Sequence, residues 1–390
     1  MLTQAQAIKP YIVQLRRAIH RQPELGFDVY KTAELVARTL RELGVEAQTG
    51  VGKTGVVGYL GEGDGPVVAI RADMDALPIQ EINAVEYRSE VPGKMHACGH
   101  DAHTAMLLGA ARLLTGAKFK GQIRLLFQPS EEDFDSEGVS GAPRRIADGA
   151  LRGVDHVIAL HVDGALEAGT IGLEAGQVAA AVDTFKAHVL GRGGHGARPH
   201  KALDPIWLTA QVLNALYAVP SRRVDPFAPD VLTVGVVRGG TAENVIPETV
   251  YLEGTLRSMD AETRALLIAE VERCLGIARA LGGDYALEVV RGYPSLFNDA
   301  GVVDVMRQAG RDLLGEAGLR PREPSMGAED FSYMTQLAPG AMFRLGTKAP
   351  GGPPRYVHTP DFDIDEDALP VGAAMLAETA LRLLKQAGHA

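Results

Sequence analysis

Cysteine is scarce in this chain: its 390 residues include two, Cys98 and Cys274, far apart in sequence. That excludes the disulfide framework of a small secreted domain. A basic excess is also missing. Lys and Arg number 39 against 49 Asp and Glu, a formal net charge of −10 with a pI near 5.6, which argues against nucleic acid or an anionic membrane as the main partner. No apolar run reaches membrane-spanning length, and Met1–Pro10 lacks the charged-then-apolar pattern of a secretory leader, so a cytoplasmic protein is expected. Internal repeats and low-complexity segments are absent as well. What remains is a globular composition, 46% hydrophobic with 45 glycines. The chain is too long for one ordinary core, so two domains are expected.

The densest chemistry lies in Met95-His-Ala-Cys-Gly-His-Asp-Ala-His103, followed by an apolar segment from Thr104 to Leu114. Thiolate and neutral imidazole suit a borderline-soft divalent ion such as zinc. In an extended turn residues two apart project to one side, so Cys98 and His100 can reach the same ion. The helix that follows aims its positive end at the site, which predicts a lowered thiol pKa at Cys98. Taken alone, the same residues also read as surface histidines around a small core cysteine.

Along the chain, Pro10–His20 and Lys31–Leu43 read as helices, the second stopped by Gly44. His20 reads as a helix-end histidine bonded to backbone. Val56–Leu60 and Val67–Ile70, divided by Gly-Glu-Gly-Asp-Gly-Pro, read as a hairpin. The second run ends in Arg71-Ala-Asp-Met-Asp75, placing Asp73 and Asp75 where open α/β sheets keep their chemistry; both are expected to orient a ligand histidine from behind. Ile123–Phe127 is a buried strand ending in Gln128-Pro-Ser-Glu-Glu132. Adjacent carboxylates there stay ionised most simply beside a cation. A helix is expected over Ile146–Leu151, then a strand Val157–Leu160 delivering His161 at its end, with His156 structural at the other end. From Thr184 to Val290 the pattern is strand, helix, strand, strand, helix, strand, a ferredoxin-like α+β layer inserted into the first domain. Cys274 falls in its second helix as a core residue. After the insertion come a strand at Met342–Leu345, a Pro/Gly-rich loop carrying His358, and a closing helix Glu366–Leu384. His200 reads as a loop residue, and His389 as part of a frayed terminus. The fold class is thus α/β: a larger domain with a mixed, mostly parallel sheet flanked by helices (1–180 and 293–390), plus an inserted small domain (181–292).

Cys98, His100, Glu132, His161 and His358 form a mixed ligand set, with Glu131 as a spare carboxylate. The motifs Arg16-Arg-Ala-Ile-His20, Pro23-Glu-Leu-Gly-Phe27, Arg71–Pro78, the Cys98 loop, Gln128–Glu132, Gly193-Gly-His195, Gly240–Pro247, Gly327–Phe331 and His358–Phe362 occur in order. In this the chain resembles the M20 metallopeptidase family, in its amidohydrolase branch of N-acyl-amino-acid, hippurate and auxin-conjugate hydrolases. The resemblance implies two divalent ions, zinc or manganese with cobalt and nickel as alternatives. Cys98 would bridge them, and His100, Glu132, His161 and His358 would complete the shells, with Asp101 among the supporting carboxylates. Glu131 resembles the general base, with a Glu131/Glu132 exchange of roles as the open alternative. His195 resembles the histidine that holds the oxyanion, supplied in dimeric relatives by the partner's small domain. Asn244 and Arg257 resemble groups that bind the substrate's free carboxylate.

The expected reaction is hydrolysis of the amide of an N-acyl amino acid. A carboxypeptidase or dipeptidase acting on a short peptide is the runner-up, and a non-catalytic metal-binding scaffold the alternative of another class. The resemblance also implies a homodimer through the small domain, or a tetramer, and no nucleic-acid or membrane partner. The segment Asp133–Ser140 is longer and more acidic than the family's short glycine-rich link, and is expected to narrow the mouth or disfavour acidic substrates. Asp28-Val29, where the family is more acidic, is a lesser departure.

Overall fold

The computed structural model describes residues 1–61, 64–322 and 324–387. His389, Glu62 and Gly63, each part of an expectation above, lie outside the described residues. The chain divides into two compact units, Met1–Gly176 with Phe297–Glu323 and Tyr333–Ala390, and Gln177–Leu296 with Pro324–Ser332. The stretch Pro324–Ser332 clusters with the second unit, although the sequence boundaries put it in the first.

The first unit opens with a short helix α1 (Leu2–Ala7) and then α2 (Lys9–Arg21) and α3 (Tyr30–Glu42). Ile12 and Ile19 bury one face of α2, and Arg16 lies buried on the same stripe, a charged residue where helical spacing calls for an apolar one. Next come strands β1 (Glu46–Val51), β2 (Gly55–Leu60) and β3 (Val67–Asp73). Helix α4 (His100–Thr115) and strand β4 (Gln122–Gln128) follow. Helix α5 (Gly141–Ala147), strand β5 (His156–Glu167) and strand β6 (Ile171–Gly172) complete the series before the second unit.

Two expectations fail here. The hairpin is between β1 and β2, paired antiparallel; β4 inserts between β2 and β3, antiparallel to one and parallel to the other. The parallel step is from β3 to β4, and it is made by the crossover through α4, since parallel partners cannot share a tight turn. The helix expected over Ile146–Leu151 instead ends at Ala147, and Gly149, at φ +84°, stops it.

The eight-stranded sheet runs β1-β2-β4-β3-β5, then Gly340–Lys348, β6 and Leu319–Arg320. Its centre is parallel: β4, β3, β5 and Gly340–Lys348 all run the same way. Asp73 is paired with Gln128, and the β3–β5 register ends at Arg71 opposite Ala159. His161 therefore lies two residues past the end of that pairing, level with Asp73, although β5 itself continues to Glu167. Helix α4 is buried on every side, Ala102 to Ala111 included, as expected of a helix in the middle of a large domain. The closing helix is Leu369–Ala387.

The second unit has a four-stranded antiparallel sheet ordered Asp230–Gly239, Thr249–Ser258, Ala181–Leu190, Asp284–Arg291. Helices Pro205–Arg222 and Ala261–Ala280 supply its core with Leu208, Val212, Leu216, Leu267, Val271 and Leu275, and Cys274 is buried among them. This is the ferredoxin-like order. Among the described residues no helix is long and apolar enough to cross a membrane.

Candidate metal centre

Gly99 makes the centre possible. It is the N-cap of α4 at φ +84°, in the left-handed region, and a Cβ there would stand 2.4 Å from Val162 Cγ2, so only glycine fits. Helix α4 thus starts at His100, four residues before the apolar segment that announced it, and the αL glycine, not an extended turn, brings Cys98 and His100 together. Among the described residues of the first unit, four groups bring their ligand atoms within 4.8 Å of one another. Cys98, His100 and His161 form one, Cys98, Glu132 and His358 a second, Asp73, His100 and His103 a third, and His100, Glu131 and Glu132 a fourth. The first two share the sulfur of Cys98.

The donor set fits a divalent ion on observations beyond proximity. Cys98 Sγ is 3.4 Å from His161 Nε2, and Glu132 Oε1 is 3.0 Å from His358 Nε2. Two ligands of a tetrahedral ion at ~2.0–2.3 Å stand about 3.3–3.7 Å apart; Cys98 and His161 already have that spacing, whereas Glu132 and His358 sit closer, at the distance of an ion pair. Glu132 Oε1 and both ring nitrogens of His100 are buried without a hydrogen-bond partner of good geometry, although Asp75 Oδ1 is 3.3 Å and Asp73 Oδ2 3.6 Å from the His100 ring. His161 donates from Nδ1 to the Val162 carbonyl at 2.7 Å, which leaves its Nε2 lone pair to accept from the Cys98 thiol. His358 holds φ +64°. A non-glycine residue there is strained, and such strain concentrates at functional sites.

The electrostatics point the same way. Burial pushes the Cys98 thiol up, and Glu132, Glu131 and Asp73 add to it, so the helix-end lowering expected from sequence does not win. A cation is what would release that proton. Burial disfavours charge on His100, yet Asp73 and Asp75 outweigh it and raise the imidazole to about 10. His161 goes the other way, held neutral by burial and by Arg344 and His103. Burial works against Glu132, but His358 and His100 keep its carboxylate ionised.

Asp75 accepts from the backbone N–H groups of Glu131 (3.1 Å) and Glu132 (3.0 Å). It therefore fixes the turn that presents both glutamates, beyond its closeness to His100. Ser130, at φ +51°, makes that turn sharp. Asp73 bonds Arg71 and His103. His103 was not singled out by sequence. Its Nε2 accepts from the Val162 N–H at 3.0 Å, so its Nδ1 must carry the proton it gives to Asp73 Oδ1 at 2.6 Å. With both nitrogens engaged it has no lone pair for a metal, and it steadies the strand beside His161.

Asp101 does not stand behind a ligand; it bonds Arg16 Nε and His20 Nδ1, each at 2.7 Å. His20 is accordingly bound to carboxylates, not to backbone as its sequence position suggested. The acidic segment after Glu132 is neutralised: Asp135 pairs with Lys53 and Arg144, and Glu137 with Arg144. It therefore presents far less negative charge than its composition implied.

In the second unit His195 pairs with Val245, and the Gly196 N–H donates to the Asn244 carbonyl at 2.8 Å. A Cβ on Gly196 would meet that carbonyl oxygen at 3.0 Å, so the approach requires glycine. His195 Nδ1 accepts from the Ala197 N–H at 3.1 Å, which puts the neutral ring's proton on Nε2 of an exposed side chain. Arg257 is elsewhere. The ribbon continues from the Thr249/Leu190 end of the sheet, whereas Arg257 pairs with Val182 at the other end. Eight residues of strand, about 26 Å, separate Thr249 from Arg257. Asn244 and Arg257 of one chain are therefore too far apart to close on one small carboxylate. Arg257 makes no ion pair among the described residues, and burial alone lowers its pKa.

The model of the peptidase family M20/M25/M40 matches residues 69–382. The chain is 41% identical over 382 residues to thermostable carboxypeptidase 2 of Saccharolobus solfataricus, covering 96% of each. It is 39% identical over 384 residues to the N-acetyl-L-cysteine deacetylase of Bacillus subtilis, covering 97% of this chain and 89% of that one. The crystal structure of the Bacillus subtilis YXEP protein, described as a dinuclear metal-binding peptidase of the M20 family, superposes with a TM-score of 0.85 at 34% identity, covering 97% of this chain and 99% of that one. Divalent metals and amide or peptide substrates follow from this kinship and from the ligand clusters. The chain therefore belongs to peptidase family M20/M25/M40, and is a metal-dependent amidohydrolase or peptidase.

Proposed function

We propose that the chain hydrolyses the amide between an acyl group and an amino acid carrying a free carboxylate, using two divalent ions held around Cys98. The observation that supports this best is the pair of triads, Cys98–His100–His161 and Cys98–Glu132–His358, that share one sulfur. Zinc is favoured by the thiolate, while the imidazoles and carboxylate also suit manganese, cobalt or nickel. Bound there, the ions would supply Lewis acidity and an acidified water. Glu132 shares a cluster with Cys98 and His358, whereas among the described residues no cluster joins Glu131 to Cys98, His161 or His358. That favours Glu132 as ligand and Glu131 as the base that takes the water's proton and passes it to the leaving amine. His195 Nε2–H is a preset donor for the oxyanion. Because Asn244 and Arg257 lie at opposite ends of the small sheet, a homodimer in which the His195–Asn244 ribbon serves the partner's centre is the assembly that suits them. Arg257 offers a planar fork for a carboxylate. A reducing, cytoplasmic setting suits two free, buried cysteines.

A carboxypeptidase is the second reading, favoured by the 41% identity to the Saccharolobus enzyme. Chelated and then metal-reconstituted protein, assayed on N-acetyl and N-benzoyl amino acids and on dipeptides, separates the two; no turnover on any of them rejects both. Glu131→Ala should keep two ions per chain and lose about 10²–10⁴-fold in turnover. Substantial residual activity would reject the base assignment.

A further inference from the structure

We infer that Arg16 is a positioning residue that locks together the two chain segments carrying His100 and His358, and so governs retention of the ion held by Glu132 and His358. The inference rests on the two-ion reading above.

Arg16 is fully buried on α2. Its Nε donates to Asp101 Oδ2 at 2.7 Å, its Nη2 to Asp363 Oδ1 at 2.9 Å, and its Nη1 to Glu366 Oε1 at 3.4 Å. Asp101 directly follows His100 on α4; Asp363 and Glu366 follow His358 on the closing loop. One planar fork therefore spans two segments more than 200 positions apart in the chain, which a point charge such as Lys cannot do. Tyr87 backs the arrangement: the guanidinium lies 4.7 Å from its ring centroid, and its hydroxyl donates to Asp363 Oδ2 at 2.9 Å. None of Asp101, Asp363 and Glu366 belongs to a ligand cluster found among the described residues, so Arg16 acts through other side chains.

The two segments depend on the fork unequally. His100 opens a helix wedged on all sides into the core. His358 is half exposed at φ +64°. Its loop is tied by the His358 N–H to the Ala97 carbonyl at 2.7 Å, by Asn83 to the Phe362 carbonyl at 2.8 Å, and by Arg16 to Asp363. Burying this much charge is a poor route to stability, since apolar residues of similar volume do as well or better. Holding position is the better account.

The test is stepwise Co(II) titration of the metal-free protein in competition with a chromophoric chelator, following the thiolate-to-cobalt absorption. In Arg16→Met the second equivalent should weaken by about 10–100-fold while the first stays within about 3-fold of wild type. Both equivalents unchanged, or both weakened alike, would overturn the inference. Arg16→Lys should recover part of the loss; full recovery would show that charge suffices and that the fork bridges nothing. Should Arg16→Met fail to fold, Asp363→Asn at the outer end carries the same comparison, with selective weakening of about 5-fold or more expected and an equal or absent effect decisive against it. Wild-type protein that binds one equivalent only rejects the two-ion reading itself, and this inference with it, before any variant is measured.

Discussion

The two triads that meet at Cys98 are built from different material. Cys98, His100 and His161 are all buried and stand on a helix start and a central strand. Glu132 and His358 stand on a turn and a loop, and His358 leaves half its side chain exposed. The first is framework, held by the same packing that makes the domain. The second is assembled from irregular backbone, kept in place by Asp75 under Glu132 and by the bond from the His358 N–H to the Ala97 carbonyl. On the two-ion reading, one ion would be held by framework and the other by irregular backbone.

Cys98→Ala strikes both triads at once and should have the largest effect. Each ion should bind more than about 100-fold more weakly, beyond the loss usual for a supporting residue, and turnover should vanish. Metal content per chain by elemental analysis checks it; one ion retained at wild-type strength would show that the triads do not share a ligand.

Paired substitutions sharpen the comparison. His161→Ala should lose the buried ion and also lower the melting temperature of the metal-free protein, because it hollows a packed site and strands the Val162 carbonyl. His358→Gly should lose one ion equally but leave the metal-free melting temperature level or slightly higher, since glycine relieves a left-handed residue worth about 1 kcal/mol. Calorimetric scans with and without metal separate the two. A cost at His358 as large as at His161 would erase the distinction between framework and loop.

Most of this contrast was legible in the sequence in outline and hidden in detail. The ligands announced themselves because metal chemistry needs scarce residue types at strand ends and in one glycine-punctuated loop. The small domain's strands and helices were legible because their apolar periods are regular. What stayed hidden depends on contacts between distant segments. That β4 separates β2 from β3 is decided by tertiary pairing, not by the glycine-rich link. The neutralising of Asp135 by Lys53 and Arg144 joins three separate segments. His103 looked no different from its neighbours until the Val162 N–H fixed its tautomer. Arg16 did leave a trace, as a charged residue on an apolar helical stripe, but its partners, Asp101 and Asp363, could not be named without coordinates.

The finest difference expected between the triads is in proton release. In the metal-free protein the Cys98 thiol is pushed up by burial and its carboxylate neighbours, and the His100 imidazole is raised to about 10. Both therefore hold a proton at pH 7, and both must lose it before they can ligate. His161 is held neutral and Glu132 ionised, so neither has a proton to give up there. Filling the buried triad should then release about two protons, and its affinity should climb about 100-fold for each pH unit between 7 and 9. The ion that follows meets a thiolate already formed and a carboxylate already charged, so neither gives up a proton and its affinity should change little over the same range. For the first ion acid weakens and base strengthens; for the second the dependence is shallow. Titration calorimetry in buffers of different ionisation enthalpy counts the protons at each step, and equal counts for the two ions would mean that Cys98 keeps its proton until the second ion binds.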